Sequence, residues 1–493
     1  MTHPRLLSAT FLSALLPALL AGCASPPPLG PKPAPASVDS FASQQTLGAA
    51  ATSAAQWPVQ DWWQSYNDPQ LTALIEEGLA SAPDLAAAVA RLHQAQGYQQ
   101  QSHAALLPKL DAHVIAQETY AKDFPGGLLD DGWTGVGADS LNLSFDLDLW
   151  GKNRAALRAA KLESTAAQLD VAQARLTLST AIASSYADLA RLYAERDVQA
   201  QSIKVKEDQA GLTADRVTHG LDTQAELKQA QAAVPAAREQ LLQIDENIAL
   251  TRNALAALLG KGPDRGLAIA RPQVQISAHG LPQGITTDLI AHRPDVVAAL
   301  ARVKADDERI KVARAGFYPA VSISALAAHP AIGLENLVQG STWLGGVGPS
   351  ISLPIFHGGE LKGKYRSARS TFDEAVATYD KSVATAFHDV ADAAASQAML
   401  TARLDESSKA LSASEAAYEI ARMRYEGGLS TYLNVLSAQE AVLTARRTHA
   451  DLQARAFTLD VALVRALGGG AATSTLSSAA PAANAPSKDA THG

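Results

Sequence analysis

Several groupings in this 493-residue chain have residue types that could do chemistry. Asp146 and Asp148 stand two apart, and residues two apart on a strand share a face, so the pair has the composition of a general acid and base. Asp306-Asp307-Glu308 could form an acidic metal cluster, but consecutive helix positions are turned about 100° from one another, which favours a solvated face. Gly260-Lys261-Gly262 has the residues of a phosphate loop without its spacing or the strand before it. Twelve histidines are scattered with no His-Glu-x-x-His, and no Gly-x-Ser-x-Gly occurs. Each grouping lacks the partners its chemistry needs, so an enzyme is not the favoured reading.

The remaining reactive group is Cys23, the only cysteine, so no disulfide can form within the chain. It follows a short segment with Arg5, an apolar run from Leu6 to Leu20, and the small residues Ala21 and Gly22. That run is too short to span a bilayer comfortably and abuts a cleavage-like site, so residues 1–22 read as a signal peptide. Leu20-Ala21-Gly22-Cys23 resembles a lipobox, which implies covalent lipid, palmitate included, on Cys23 and a stable anchor. Ala24 stands where an aspartate would resemble an inner-membrane retention signal, which puts the anchor in the outer membrane. Residues 23–56 are rich in Pro, Ala and Ser and read as an extended strap, and 469–493 have the composition of a disordered tail.

Between these ends the chain is duplicated. Arg216 to Val234 and Arg424 to Val442 agree at eight of nineteen positions without a gap, among them Gly220/Gly428, Leu221/Leu429 and Thr223/Thr431. At a slightly larger offset Pro83-Asp84 falls on Pro294-Asp295 and Leu107-Pro108 on Tyr318-Pro319. Each copy spans roughly 190 to 200 residues, far more than a solenoid repeat.

Period then separates the elements. Leu162, Leu169 and Leu176 lie seven apart, as do Leu404, Leu411, Tyr418 and Tyr425, and Leu241, Ile248 and Leu255, which are coiled-coil seams. The proline-free stretches 152–215 and 361–426 each predict a helix of about 90 Å at 1.5 Å per residue. Returning helices over 222–260 and 430–467 follow the Gly-Leu turns, with Thr223-x-x-Glu226 as a capping box and Pro235 as a kink. Ahead of each long helix the period falls to two. Leu141, Leu143 and Phe145 alternate with Asn142 and Ser144, and Val321 and Ile323 with Ser322 and Ser324. Strands are predicted at 109–121, 136–150, 319–329 and 343–356, with one apolar and one polar face as in transmembrane barrels. Four strands cannot close, and lipid does not tolerate open edges, so the chain must oligomerise.

The copies thus cover 57–265 and 286–468, joined by a linker over 266–285. The composition fits this reading. The net charge is −8 with no basic cluster, which disfavours nucleic acid, and aromatic content of 5% suits closely packed helices better than a globular core.

Several motifs carry a family resemblance. Leu281-Pro282-x-Gly284, His292-Arg293-Pro294-Asp295-Val296, Ala313-Arg314-Ala315-Gly316-Phe317-Tyr318-Pro319, Asp61-Trp62-Trp63, Asp68-Pro69-x-Leu71 and Asp146-Leu147-Asp148-Leu149-Trp150-Gly151 resemble the NodT branch of the TolC-like outer-membrane factors, over about Trp57 to Gly468. The resemblance implies an α+β membrane protein in which three chains build one twelve-stranded barrel, continued by a periplasmic coiled-coil tunnel with an equatorial belt formed partly by the linker. It implies a passive exit duct without cofactors, working with a periplasmic adaptor and an inner-membrane RND-type transporter. A duct for secreted polypeptides on the same fold, and a lipid-anchored coiled-coil scaffold that conducts nothing, are the alternatives.

The resemblance also points to the turns. The tips Gly220, Leu221, Thr223, Gly428, Leu429 and Thr431 are expected to dock the adaptor. A gate is expected from Glu226, Arg424 and Tyr425, with Asn434 and Ser437 at positions that often carry aspartate. Glu226 is expected to link to Arg424 or Tyr425, an exposed contact of roughly 0 to 1 kcal/mol.

Overall fold

A computed structural model describes residues 26–37, 41, 44–47, 56–123, 131–274, 285–333, 336–339 and 343–470. The leader, Cys23, the Leu281-Pro282-x-Gly284 motif and the tail from 471 lie outside the described residues. Each copy contributes two shorter helices, two strands, one very long helix and one returning helix. The first has α1 (Pro69–Ser81), α2 (Pro83–Ala104), β1 (Lys109–Ala121), β2 (Gly132–Asp146), α3 (Lys152–Thr218) and α4 (Gln224–Leu258). The second has α5 (Ile285–His292), α6 (Pro294–Ala315), β3 (Ala320–Ile332), β4 (Leu344–Ser352), α7 (Glu360–Glu426) and α8 (Tyr432–Ala466). The long helices have 67 residues each and the returning helices 35 each, so the duplication is preserved to the residue in helix length.

The seam residues are the reason these helices are stable. Leu169, Leu176, Ile248, Leu255 and Tyr425 are buried, and Leu162, Leu241, Leu404, Leu411 and Tyr418 are half-buried. Pro235 lies inside α4, which continues as one helix on both sides of it.

The chain divides into two compact units. One comprises Arg91–Gln168 and Ala298–Tyr379 with the strap up to Pro35. It holds the sheet, of order β1-β2-β3-β4 with every neighbouring pair antiparallel. It also holds residues 26–35 against α6 and α7. Lys32 pairs with Asp307, and the Arg369 guanidinium donates to the carbonyl oxygens of Gly30 and Pro31. The Asp306-Asp307-Glu308 run is a set of ion pairs, with Lys311 shared by Asp307 and Glu308. Asp306 meets Arg309 at 2.6 Å, Asp307 meets Lys311 at 3.2 Å, and Glu308 meets Arg158 at 2.8 Å.

The other unit comprises Ala36–Ala90, Leu169–Val297 and the chain from Asp380. Its core packs Trp62, Tyr66, Leu71, Leu74 and Ile75 against Ile182, Tyr186 and Leu189 of α3, Leu255 of α4, and Phe457 and Val461 of α8. Full burial of each large apolar side chain contributes roughly 1.5–3 kcal/mol. Asp68 starts α1 by accepting from the backbone N–H of Gln70 and Leu71, with Pro69 at the first helical position where its missing N–H costs nothing. Its second oxygen accepts from the Tyr186 hydroxyl at 2.9 Å and the Gln273 N–H at 2.9 Å. Arg293 ties the start of α6 to the end of α8. It makes two bonds to Asp295, at 2.8 and 3.1 Å, one to Asp389 at 2.9 Å and one to the Ala466 carbonyl at 3.3 Å. The turn ending α8 approaches the same place, since a Cβ on Gly468 would sit 2.2 Å from the His292 carbonyl oxygen.

The second strand differs from the expected 136–150: it starts at Gly132 and stops at Asp146. Leu147 to Trp150 leave the sheet because Asp148 turns back with φ 45° and caps α3, its carboxylate accepting from the N–H groups of Asn153 and Arg154. Asp148 is therefore a helix cap and not a strand-face partner of Asp146. The fourth strand, expected over 343–356, ends at Ser352, before Pro354.

Candidate functional site

Two regions hold the residues the sequence points to, the sheet and the helix turns. On the sheet, the register places Leu110 opposite Leu143, Leu143 opposite Ala325, and Ala325 opposite Val347. Directly opposed residues point to the same side, so these form one apolar band across all four strands. The rest of the unit leaves this band uncovered: Leu110, Val114, Val347 and Ile351 are 66%, 71%, 77% and 70% exposed. The other side carries Asp111 opposite Asn142, His113 opposite Ser140, and Ser144 opposite Ser324. Ile115 interrupts it and is exposed there.

Aromatic residues mark both ends of the band. At the end bearing the β1–β2 and β3–β4 connections, Tyr120 and Trp133 pair edge to face at 5.6 Å, and Trp343 is exposed. At the other end Trp150 stacks on Tyr318 at 4.9 Å and donates its indole N–H to the Pro319 carbonyl, while Phe356 is 87% exposed. An apolar band between two aromatic girdles is the pattern of a lipid-facing barrel wall, because indole and phenol rings sit where hydrocarbon meets water. Among the described residues no helix is long and apolar enough to cross a membrane. The girdles escape a period-two reading because they lie at and beyond the strand ends. Their signal is a Trp or Tyr flanking each apolar run.

The two turns share one construction. Gly220 and Gly428 both have φ 73°, and the N–H groups of Leu221 and Leu429 reach back to the carbonyls of Arg216 and Arg424 at 2.9 and 2.7 Å. That closes each long helix with its glycine in the left-handed region that other residues avoid. Leu221 and Leu429 are 65% and 74% exposed. Thr223 caps α4 in a reciprocal box with Glu226, whose carboxylate accepts from the Thr223 N–H at 2.7 Å. Thr431 makes no side-chain cap, and Asn434 donates instead to the Ser430 hydroxyl at 2.9 Å. Ser437 is exposed on α8.

The expected link from Glu226 to Arg424 or Tyr425 is not made within the chain. Glu226 is occupied by its cap, and Arg424 is exposed. Tyr425 is fully buried, and its hydroxyl donates to Asp222 and lies 3.3 Å from the Thr213 hydroxyl. Arg216 lies 4.4 Å over the Tyr425 ring and bonds Asp222 at 3.1 Å. The Arg216 and Asp222 side chains are 10% and 6% exposed. Around them Tyr425, Ala230, Tyr432 and Val435 form a small apolar core. Burial, and then the bond to Asp222, push the Tyr425 hydroxyl up to about 12, so it remains a donor. Asp222 is the acid that sequence reasoning missed. Its signal was position: it follows Gly220-Leu221 where the second copy has Ser430.

A wall with lipid-facing girdles, carried on paired 67-residue helices, defines an outer-membrane channel protein. The profile of the family described as outer membrane efflux protein matches residues 74–261 and again 286–469, one match per copy. The chain belongs to that family, and with it to the outer membrane and to efflux. It is 35% identical over 367 residues to the fusaric acid resistance protein FusA of Burkholderia cepacia, covering 71% of this chain and 67% of FusA. It is 28% identical over 464 residues to the pyoverdine export outer membrane protein OpmQ of Pseudomonas aeruginosa, covering 92% and 96%. Among solved structures it is similar to the outer membrane protein VceC from Vibrio cholerae, with 41% identity, TM-score 0.79, and coverage of 84% of this chain and all of VceC.

Proposed function

We propose that this chain is the exit duct of a tripartite efflux pump: three copies close their sheets into one twelve-stranded barrel through which small toxic organic compounds leave the cell passively. The observation that carries this is the sheet itself. One face of it is apolar and girdled, yet among the described residues β1 and β4 have no strand beyond them. Open strand edges in hydrocarbon leave backbone groups unpaired at several kcal/mol each, so closure with further copies is required. FusA and OpmQ, whose names tie them to fusaric acid and pyoverdine, support low-molecular-weight cargo.

The turns are the sites that meet the periplasmic adaptor, through Gly220, Leu221, Thr223, Gly428, Leu429 and Thr431, and the adaptor connects the duct to an RND-type transporter. Arg216, Asp222 and Tyr425 hold the turns together in the closed state, with Glu226, Arg424, Asn434 and Ser437 around them. Lipid on Cys23 fixes the strap to the outer membrane; incorporation of labelled palmitate should vanish in Cys23→Ser, and unchanged labelling rules that anchor out.

The test of the duct is conductance. Purified protein in a planar bilayer should give discrete channels, and chemical cross-linking should stop at three copies. A protein that reaches the membrane but conducts nothing is a scaffold, which overturns the reading.

A further inference from the structure

The faces of α6 and α7 that hold the strap also carry cations without acidic partners. On α6 the stripe is Asp307, Lys311 and Arg314, and on α7 it is Arg369, Arg366 and Lys362, each at the three- and four-residue spacing of one helix face. In both stripes the member farthest from the sheet meets the strap. Asp307 takes Lys32, and Arg369 donates to the Gly30 and Pro31 carbonyls. Toward the sheet, Arg314, Arg366 and Lys362 are exposed, and none of the three has an ion pair among the described residues. The acids nearby are already matched: Lys311 serves Asp307 and Glu308, Arg369 serves Asp373, and Lys364 serves Glu360.

The neighbours of these cations fix where they stand. Arg314 closely precedes Tyr318 of the aromatic girdle, and Lys362 closely follows Ile355 and Phe356, which are 64% and 87% exposed. At 1.5 Å per residue, Lys362 and Arg366 lie only about 3 and 9 Å into α7. That is within the roughly 8–10 Å over which exposed charges interact at physiological salt. The strap points to the same place. Lys32 lies 5.5 Å from the Phe372 ring, farther from the sheet than Arg369, so the strap rises toward the sheet as it runs back to Gly30. Exposed apolar side chains at the edge of a lipid-facing band, followed at once by unpaired cations, make an interfacial surface in which rings sit at headgroup level and cations meet phosphate.

We propose that Arg314, Lys362 and Arg366 bind the phosphates of anionic phospholipids in the periplasmic leaflet, with Ile355 and Phe356 at the edge of the acyl chains. Such a lipid fits because it presents an apolar chain and then a negative phosphate, in the order in which the protein presents Phe356 and then Lys362. Arg314 and Arg366 can each grip two phosphate oxygens, while Lys362 acts as a point charge. This surface selects the lipid around the wall and not what passes through it, so it stands apart from conduction and from any lipid on Cys23.

The test uses the full-length protein in phosphatidylcholine vesicles, with spin-labelled phosphatidylglycerol and spin-labelled phosphatidylcholine as probes. A cation near an anionic surface contributes roughly fivefold in association, so the wild type should prefer phosphatidylglycerol several-fold, and the triple variant Arg314→Gln, Lys362→Gln, Arg366→Gln should bring the ratio to about one. Lys109→Gln, at the same end of the sheet but on its polar face opposite Ser144, should keep the wild-type ratio. About 1 M salt, which shortens the screening length to about 3 Å, should erase the preference. A wild type without preference, a triple variant that keeps it, or a Lys109→Gln variant that loses it equally overturns the proposal. A triple variant that fails to assemble, while Lys362→Gln alone assembles with its ratio undiminished, overturns it too, because the cations then meet a neighbouring copy. Unchanged single-channel conductance in the triple variant separates loss of this surface from failure of the duct.

Discussion

Arg216 lies 4.4 Å over the ring of Tyr425, and the two are not equivalents in the duplication: Arg216 corresponds to Arg424, and Tyr425 to Val217. The first copy gives the cluster Arg216 and Asp222 and the second gives Tyr425, and of these Asp222 and Tyr425 have no like residue at the matching positions Ser430 and Val217. The contact is therefore made once, between the two turns, and its burial sets its strength. An exposed pair contributes roughly 0 to 1 kcal/mol, whereas losing one partner of a buried pair costs about 3 kcal/mol, because the other charge is left without compensation. Asp222→Asn should therefore lengthen or multiply channel openings in a planar bilayer, while Glu226→Gln with Arg424→Ala should change them little. The reverse ranking refutes the assignment. The Tyr425 hydroxyl bond is at full strength below the ordinary tyrosine value of 10 and is lost as pH rises through about 12, so openings should not increase between pH 7 and pH 9.

The turns expose two leucines whose side chains have no role in the caps. Gly220 and Gly428 account for the backbone, and a Cβ at either would meet nothing within 4 Å, so only their φ demands glycine. Leu221 and Leu429 instead offer apolar surface to a partner. Leu221→Asp with Leu429→Asp should abolish drug resistance in cells while leaving trimer yield in the outer membrane unchanged. Normal resistance in that double variant excludes docking at the turns.

Much of the fold is legible in the sequence because the periods that define it are local. Leu162, Leu169 and Leu176 announce a seam, and Leu141, Leu143 and Phe145 a strand face, without knowledge of any partner. What local pattern cannot give is a contact between unlike positions of the two copies. Aligning the copies sets Arg216 beside Arg424 and Glu226 beside Asn434, and neither comparison leads to Tyr425. Asp148 illustrates a second limit. Leu147 and Leu149 continue the alternation past the end of β2, but the two N–H groups at the start of α3 need a cap, and this local demand outweighs the strand pattern.

Arg293 is a different kind of buried charge, one whose partners come from three elements. Its side chain is 8% exposed and holds Asp295, Asp389 and the Ala466 carbonyl together. Arg293→Ala leaves Asp295 and Asp389 facing each other without their cation and should lower stability by about 3 kcal/mol. Arg293→Lys should recover only part of this, since one ammonium cannot reproduce the two parallel bonds to Asp295. Denaturant melts of the detergent-purified protein measure both, and equal midpoints for wild type and Arg293→Ala would show that the cluster contributes nothing net.

The two faces of the sheet give a final contrast, because a single position on either side carries opposite expectations. Val347 lies in the middle of β4 on the exposed apolar face, opposite Ala325. Ser140 on β2 lies on the polar face opposite His113. An arginine in hydrocarbon near the bilayer midplane costs roughly 2–4 kcal/mol, while a lumen-facing arginine stays hydrated. Val347→Arg should lower the yield of folded trimer in lipid vesicles and shift its denaturant midpoint, and Ser140→Arg should do neither. Ser140→Arg should instead alter the preference of the channel for cations, since it adds a positive charge to the conducting face. If Val347→Arg folds normally while Ser140→Arg fails, the faces are assigned the wrong way round. The girdles of Tyr120, Trp133 and Trp343 at one end and Trp150, Tyr318 and Phe356 at the other would then need another explanation.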